Sequence, residues 1–444
     1  MTPSILFFLA LFVWFIYAGF LRTISKHQRG TRSLRVSFLH PDLGIGGAEN
    51  LIVNAAVALQ TKGYEVYLFT SHHDPSHCFE ETRGDGPLAK YVVVYGDWLP
   101  RTIHGRMYAA CAFVRMVYIT LRLAVAQWHT DIFLVDQVSL PVPLLRALWG
   151  RPVYFYGHYP DKLLCVDRSS ILKSIYRLPL DKFEEWTTYA SDAIVVNSKF
   201  TASVFQKTFS SLQSRQLNIL YPPVNLADFK YPGDMTEESL QTIFTNECVF
   251  VSLNRYERKK NIALAIEAIV DLKKRLNPSA FTTVHLVIAG GYDPLNVENA
   301  QHLTELKSLA LSSGVADQVT FLTSISNATK LQLLFRARAI LYTPSFEHFG
   351  IVPVEAMACG TPIVAVNSGG PLESIVHQKT GYLCEPNGET WGQVLAKLQS
   401  NPELKTSMGI AGKERAQQLF SLEAFANTLD KDMQELVSEK TKTQ

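Results

Sequence analysis

Two glutamates stand eight residues apart in the segment PSFEHFGIVPVEAMACGTPIVA. Glu347 precedes a turn at Gly350, and Glu355 lies on the helix that this turn is predicted to open. A pair of carboxylates can bind ribose hydroxyls and can stabilise positive charge that develops at a sugar carbon. Two surface glutamates often share this spacing, but the surrounding Gly350, Pro353 and Gly360, followed by an apolar strand, favour a binding site.

A basic segment, LNRYERKKNI, follows an apolar run with strand character. Arginine can place two N–H groups on phosphate oxygens, and lysine can supply a point charge. Because open α/β sheets bind ligands at the carboxyl ends of their strands, we predict that Arg255 and Lys260 bind phosphate. A solvated basic loop before a helix has the same composition, so the segment alone leaves both interpretations open.

The segment HPDLGIGGAEN places a glycine-rich turn between a predicted strand and a predicted helix. At Gly46 and Gly47 the backbone can approach a ligand closely, and a helix N-terminus suits a diphosphate. A tight turn without any ligand fits these residues equally well. The turn is not G-x-G-x-x-G, which argues against a nicotinamide oxidoreductase. His158, in YGHYPD, also follows a predicted strand, where a packed loop histidine is the alternative to a functional one.

Strand-like apolar runs alternate with helical patterns twice along the chain. This alternation predicts two doubly wound parallel sheets, hence an α/β fold. The proline-rich segment YPPVNLADFKYPG interrupts the alternation and is interpreted as a domain linker. We predict a membrane anchor with its basic flank at 1–33, a first domain at 34–220, a linker at 221–245, and a second domain with C-terminal helices at 246–444.

The N-terminus carries an uncharged apolar stretch from Ile5 to Leu21. As a helix it would be about 26 Å long, close to the thickness of a thin bilayer. Basic residues follow the stretch and none precedes it, so the positive-inside rule places the main body in the cytosol. A cleaved signal peptide is the alternative, but the basic n-region is missing and the apolar stretch is too long. The flanking basic residues are Arg22, Lys26, Arg29, Arg32 and Arg35.

A second apolar stretch runs from Met107 to Trp128 and is interrupted by Arg115 and Arg122. The two arginines are seven residues apart and so share one helical face. We interpret the stretch as a crossover helix of the first domain, with a helix on a membrane surface as the alternative.

The composition excludes several classes of protein. The net charge is only +2, and no basic run is interleaved with aromatic residues, so nucleic acid is not an expected partner. Six cysteines without a C-x-x-C pair argue against a zinc cluster and favour a reducing compartment. The Asp-x-Asp triplet at Asp430 and Asp432 lies in a predicted helical tail and is interpreted as two solvated charges. We expect neither a metal nor a cofactor.

The combination of GIGGAEN, R-x4-K and E-x7-E followed by AMACGTPIVA resembles the family-4 retaining glycosyltransferases of the GT-B fold. The resemblance extends from Leu34 to about Phe420. Within that family, YGHYPD, VNSKFT, NRYERKKN, PSFEHFGIVP and VNSGGPLES are similar to the α-1,3/1,6-mannosyltransferases of the dolichol-linked oligosaccharide pathway. The resemblance implies two Rossmann-like domains that face each other across a cleft.

The resemblance also implies roles for individual residues. Glu347 would contact the transferred sugar, and His158 would lie near its reacting face; these two are the predicted catalytic residues. Glu355 would hold the ribose. Asn254 and His348 stand where the family usually or often has glycine, which leaves the orientation of the donor sugar open. The predicted donor-binding residues are Gly46, Gly47, Arg255, Lys260, Gly350, Ile351 and Glu355.

The activity implied by the resemblance is transfer of mannose from GDP-mannose to a dolichyl-diphosphate-linked mannosyl-chitobiose. The α configuration would be retained, and an α-1,3 and then an α-1,6 bond would form. The expected location is the cytosolic face of the endoplasmic reticulum membrane, where membrane lipid and other glycosyltransferases of the pathway are further expected partners. The alternatives are another glycosyltransferase of the same pathway, such as the α-1,2-mannosyltransferase, and a catalytically silent, membrane-tethered subunit that binds nucleotide-sugar.

Overall fold

The computed structural model describes residues 33–164, 171–233 and 238–442. The predicted anchor at residues 5–21 and the basic residues at 22–32 lie outside this part of the chain. Arg35, counted above in the basic flank, belongs instead to the first strand. Its guanidinium forms an ion pair of 2.9 Å with Glu65 on the neighbouring strand.

The first unit contains a seven-stranded parallel sheet with the order β3-β2-β1-β4-β5-β6-β7. Its central strands are buried on both faces and therefore read as mostly continuous apolar runs, as in other parallel sheets covered by helices. The chain builds outward from β1 in one direction and then outward from β4 in the other. The strands are β1 Arg35–His40, β2 Glu65–Thr70, β3 Val92–Val94, β4 Ile132–Asp136, β5 Val153–Gly157, β6 Ala193–Val196 and β7 Asn218–Ile219.

Helices connect the successive strands of this sheet except β2 and β3, which are joined by a segment with two short 3-10 turns. The glycine-rich turn leads directly into the first helix, and YGHYPD leads from β5 into the fourth. The helices are α1 Gly47–Thr61, α2 Tyr108–Val125, α3 Val142–Trp149, α4 Asp161–Leu164, α5 Ile171–Tyr189 and α6 Lys199–Thr208.

Helix α2 contains the apolar segment that was predicted to be a crossover helix. Its buried side chains Met116, Ile119 and Leu123 belong to the same core cluster as Phe69 and Phe133 of the sheet. Within the described chain it is the one helix whose length and composition would allow it to cross a membrane. Its packing against the sheet confirms the crossover interpretation.

The second unit contains a six-stranded parallel sheet with the order β10-β9-β8-β11-β12-β13. The direction in which the chain adds strands to this sheet reverses between β8 and β11, as it does in the first sheet between β1 and β4. The strands are β8 Cys248–Leu253, β9 Val284–Gly290, β10 Val319–Thr323, β11 Ala339–Tyr342, β12 Ile363–Val366 and β13 Gly381–Cys384. The helices are α7 Glu238–Ile243, α8 Ala263–Arg275, α9 Pro278–Phe281, α10 Val297–Ser312, α11 Asn327–Arg336, α12 Ile351–Cys359, α13 Pro371–Ser374, α14 Gly388–Ser400 and α15 Glu403–Leu419.

The last helix, α16 Leu422–Lys442, does not follow the predicted division into domains. The second unit starts at Tyr221, where the proline-rich segment begins, but it ends at Ala424, and the rest of α16 belongs to the first unit. The apolar face of α16 joins the core that surrounds β1. The predicted range 246–444 is corrected accordingly, because an apolar face at helical spacing does not specify which sheet it covers.

The two aspartates of α16 are not solvated charges. The hydroxyl of Tyr64 donates a hydrogen bond to Asp430 at 2.6 Å, and the hydroxyl of Tyr154 donates one to Asp432 at 2.7 Å. Burial raises the pKa of Asp432 above its ordinary value. The triplet therefore fastens α16 to the first unit.

Candidate active site

The predicted site residues lie in loops that follow strands near the centre of each sheet. In the second sheet, Lys260 follows β8 and Glu347 follows β11. In the first sheet, Gly46 and Gly47 follow β1, and His158 follows β5. The first sheet reverses its strand order between β1 and β4, next to β5, and the second reverses between β8 and β11; doubly wound sheets bind ligands at such reversals.

Lys260 and Glu347 contact each other directly. Lys260 ends a short 3-10 turn after β8, and Glu347 lies in the loop after β11, the neighbouring strand. The Lys260 ammonium forms a charge-assisted hydrogen bond with Glu347 Oε1, and both side chains are largely buried. The hydroxyl of Thr343 donates a 2.7 Å hydrogen bond to the carbonyl of Lys260, which fixes the turn against β11.

Two glycines after β12 hold the loop that carries Glu347. The N–H of Gly370 donates to the Glu347 carbonyl at 2.8 Å. A Cβ at Gly370 would lie 2.1 Å from the Phe349 carbonyl oxygen, and one at Gly369 would lie 2.5 Å from that of Glu347. Gly369 also has a positive φ of 65°. The close approach of two backbones is the physical reason for the Gly-Gly pair in VNSGGPLES.

Gly350 and Ile351 form the start of helix α12, on which Glu355 lies. Gly350 has a φ of 79°, and a Cβ there would lie 2.8 Å from the Tyr342 hydroxyl. Glu355 Oε1 accepts a 2.7 Å hydrogen bond from the Lys330 ammonium. Its other oxygen, Oε2, is buried and has no hydrogen-bond partner among the described residues. An unpartnered buried carboxylate oxygen is costly, and a ligand hydroxyl would satisfy it.

The four basic residues of RYERKK make different contacts in the structure. Lys260 reaches Glu347, whereas Arg255 is 64% exposed and lies 3.2 Å from Glu257. Lys259 also contacts Glu257, at 3.0 Å, and Arg258 is paired with the Glu305 carboxylate on α10. Arg255 therefore stays a predicted phosphate ligand, with an exposed side chain.

In the first unit, the absence of a side chain at Gly46 makes room for Glu49. Gly46 is the extended residue before α1, with a φ of −168° that any residue can adopt. A Cβ at this position would lie 2.2 Å from Glu49 Oε2, whereas a Cβ at Gly47 would meet nothing within 4 Å. Gly46 therefore leaves room for the Glu49 carboxylate, which the sequence analysis did not anticipate.

His158 is part of a hydrogen-bonded group with Asp136 and His40. Its Nε2 lies 3.1 Å from Asp136 Oδ2, and His40 Nδ1 lies 2.7 Å from Asp136 Oδ1. His40 and Asp136 are fully buried, whereas the His158 side chain is 25% exposed. Burial alone would raise the pKa of Asp136, but the charge of His40 and hydrogen bonds from both histidines outweigh burial and lower it.

Several residues of this site were missed in the sequence. Tyr342 ends β11, and its pKa is raised well above the ordinary value by burial and then by the charges of Glu347 and Glu355. His40 and Asp136 end apolar strands in the segments FLHPD and FLVDQ, so polar residues at strand ends were the available signal. Lys330 lies on α11 and no pattern in its segment indicates its role.

Comparison with known proteins identifies the family. The model for glycosyltransferase family 4 matches residues 45–228, and that for glycosyl transferases group 1 matches residues 236–415. The α-1,3/1,6-mannosyltransferase ALG2 of Homo sapiens is 47% identical over 400 residues, which span 89% of this chain and 94% of that protein. The ALG2 of Rhizomucor pusillus is 46% identical over 91% of this chain and 92% of that protein. The chain belongs to the ALG2 α-1,3/1,6-mannosyltransferase family.

Solved structures agree with the fold expected of this family. Sucrose-phosphate synthase from Thermosynechococcus elongatus aligns with a TM-score of 0.67 at 19% identity, over 91% of this chain and 100% of that one. WaaG, a glycosyltransferase involved in lipopolysaccharide biosynthesis, aligns with a TM-score of 0.59 at 18% identity, over 89% of this chain and 98% of that one. The predicted GT-B fold with two Rossmann-like domains is confirmed, and the ALG2-family chain is a glycosyltransferase.

Residues 33–164, 171–233 and 238–442 of this ALG2-family chain contain no group of three or more His, Cys, Asp or Glu side chains that could hold a metal ion. Lys260 and Arg255 stay the predicted ligands of a diphosphate in the second unit.

Proposed function

We propose that this enzyme transfers mannose from GDP-mannose to a dolichyl-diphosphate-linked mannosyl-chitobiose, with retention of the α configuration. An α-1,3 bond forms first and an α-1,6 bond second. The observation that carries the proposal is the group at the reversal point of the second sheet, where Lys260 pairs with Glu347 and Glu355 has an unpartnered buried oxygen. Membership in a family of α-1,3/1,6-mannosyltransferases supports the donor sugar and the linkages.

Each side chain of this group suits one part of a nucleotide-sugar. Lys260, together with Arg255, binds the diphosphate, whose negative charge grows as the glycosidic bond breaks. Glu355 accepts hydrogen bonds from the ribose hydroxyls, and Glu347 contacts the transferred sugar. In the unliganded enzyme, Glu347 balances the charge of Lys260, so this ammonium does not stand buried without a counter-charge.

His158 acts on the transferred sugar near its reacting carbon, and Gly47 leaves the N-terminus of α1 open to the donor. Gly350 and Ile351 belong to the donor site because they begin the helix that carries Glu355. The enzyme requires no metal or cofactor. It works at the cytosolic face of the endoplasmic reticulum membrane, with the apolar stretch at residues 5–21 as its anchor.

Product analysis tests the proposal. The full-length enzyme is incubated with GDP-mannose and a phytanyl- or dolichyl-diphosphate-linked mannosyl-chitobiose, and the products are digested with linkage-specific mannosidases. We expect one α-1,3-linked and one α-1,6-linked mannose, and no transfer from UDP-glucose. An α-1,2-linked product would contradict the proposed linkages, and absence of any sugar transfer from either donor would support the silent subunit instead.

A further inference from the structure

Three neighbouring strands of the first sheet end in a row of ionisable side chains. His40 is the last residue of β1, Asp136 is the last residue of β4, and His158 follows the last residue of β5. Because β1, β4 and β5 are adjacent, these side chains lie side by side at the carboxyl edge of the sheet. Glu49 approaches the row from the first turn of α1, and its Oε1 lies 3.7 Å from His40 Nε2.

The hydrogen bonds of this row determine where the protons are. Asp136 presents one oxygen to His40 Nδ1 at 2.7 Å and the other to His158 Nε2 at 3.1 Å. A carboxylate can only accept, so the imidazole nitrogens that face it carry the protons. In the neutral ring of His158, Nδ1 is then a hydrogen-bond acceptor. Since His158 is partly exposed while His40 and Asp136 are buried, His158 is the member of the row that can reach a ligand.

The two carboxylates that face His40 determine its charge. Burial alone would lower the pKa of His40, but the charges of Asp136 and Glu49 and the hydrogen bond to Asp136 outweigh it and raise this pKa to about 10. His40 is therefore a cation that compensates the buried Asp136 anion, which would otherwise be costly. Glu49 reaches this place because Gly46 has no side chain.

We propose that His40, Asp136 and Glu49 are positioning residues that hold the proton of His158 on Nε2, so that Nδ1 accepts a hydrogen bond from a hydroxyl group of the transferred sugar. The proposal rests on the proposed function of His158 and adds to it. None of the three positioning residues needs to touch the substrate. Their effect passes through the imidazole, as the buried aspartate of a catalytic triad acts through its histidine.

A double-mutant cycle tests this inference. Asp136→Asn keeps the shape of the side chain but can donate to His158 Nε2, which places the ring proton on the wrong nitrogen. We expect kcat to fall by roughly 10- to 100-fold, with the KM for GDP-mannose within about twofold of wild type. In a His158→Ala background, Asp136→Asn should cause little further loss, because the group through which it acts is gone. Equal loss in both backgrounds would overturn the inference.

The control is a second histidine–aspartate pair in the same unit. His72 Nδ1 lies 2.6 Å from Asp97 Oδ1, but Asp97 is 59% exposed, whereas Asp136 is fully buried. Asp97→Asn should leave kcat unchanged. Glu49→Gln is the second test, at a position less buried than Asp136. We expect a smaller fall in kcat, which should also disappear in the His158→Ala background. An additive effect of the two substitutions would contradict the inference.

The activity of the wild-type enzyme distinguishes failure of the proposed function from failure of the positioning role. If the wild-type enzyme forms no mannosylated product, the proposed function fails and so does any role for His158 in it. If the wild type is active and Asp136→Asn, shown to be folded by its thermal melt, equals the wild type, only the positioning role is overturned.

Discussion

At the residue scale, the candidate group in each unit combines side chains of opposite charge that are remote in sequence. Lys260 and Glu347 are 87 residues apart, and His40 and Asp136 are 96 residues apart. Each pair brings a cation and an anion together in a largely buried place, where removal of one partner leaves the other uncompensated. Substitutions at these positions therefore affect the electrostatics of the site more than surface substitutions do.

Replacement of Lys260 should affect turnover more than donor binding. The negative charge on the diphosphate is larger in the transition state than in the bound donor, so Lys260→Ala should lower kcat by about 10² to 10³-fold. Steady-state kinetics with GDP-mannose measures this. The adjacent Lys259 pairs with Glu257 and is mostly exposed, so Lys259→Ala is the matched control and should retain wild-type turnover. Similar kcat values for the two variants would refute the role of Lys260.

Replacement of Glu355 should have the opposite effect. A carboxylate that binds only the ribose stabilises the bound donor and the transition state equally, so Glu355→Ala should mainly raise the KM for GDP-mannose. Glu403→Ala, at an exposed position of the same unit, is the control. Loss of turnover at saturating donor, with Glu347→Ala close to wild type, would show that the two glutamates have been assigned the wrong roles.

The buried His40 should make the stability of the first unit depend on pH. Its folded-state pKa of about 10 exceeds the unfolded value of 6.5, because the carboxylates of Asp136 and Glu49 face it. The other ionisable groups beside Asp136 are His158 and Tyr156. The stabilisation is complete below about pH 6.5 and is lost as the pH rises towards 10. In urea titrations, the difference in free energy of unfolding between wild type and His40→Gln should therefore shrink across this range. A constant difference would contradict the assignment.

At the scale of elements, the reversal of strand order brings the site residues together. Each sheet grows in two directions from a central pair of strands, and the loops that follow this pair are adjacent. The loops are held by specific backbone approaches, such as the contact of Gly370 with Phe349. Ligand sites in doubly wound folds occupy these positions because the connecting helices diverge there to opposite faces of the sheet.

Substitution of Gly370 tests how firmly the Glu347 loop is held. A Cβ at Gly370 would overlap the Phe349 carbonyl, so Gly370→Ala must displace the loop and weaken the 2.8 Å hydrogen bond to Glu347. We expect a loss of about 1–3 kcal/mol in unfolding free energy together with a fall in kcat. Thermal melts compare this variant with Gly44→Ala, whose Cβ would meet nothing within 4 Å. Equal melting temperatures would contradict this account of the loop.

At the scale of the whole molecule, the chain forms two units, each with a parallel sheet and a buried core, and α16 returns to the first of them. The hydrogen bonds of Tyr64 and Tyr154 to the aspartates of α16 fix that return. With Arg35 assigned to β1, the predicted basic flank of the anchor retains Arg22, Lys26, Arg29 and Arg32. No acidic residue occurs in that flank, so the positive-inside rule still predicts that both units face the cytosol.

Protease treatment of sealed microsomes tests this topology. We expect an epitope within 385–444 to be digested without detergent, because the body of the protein should face the medium. A lumenal control protein must survive the same treatment. Protection of the epitope until detergent is added would overturn the predicted topology, and Asn327 would then be open to glycosylation at its Asn-Ala-Thr sequon.

The sequence by itself determined the elements and the chemical types of the site. Apolar runs separated by helical patterns predicted two α/β domains, because burial on both faces of a parallel strand leaves a continuous apolar signature. The positions of Lys260, Glu347 and His158 in loops that follow such runs made them the predicted site residues. Local spacing sufficed because a strand and the loop that follows it are adjacent in the chain.

Only the tertiary structure decided which of these loops are neighbours. The order of strands within a sheet, the partnership of Asp136 with both histidines, and the return of α16 to the first unit all join residues that are far apart in sequence. Periodicity records that an element is buried, but it does not record which partner buries it. Asp430 and Asp432 show the consequence, since a polar triplet on a helix gives no indication that two distant tyrosines bind it.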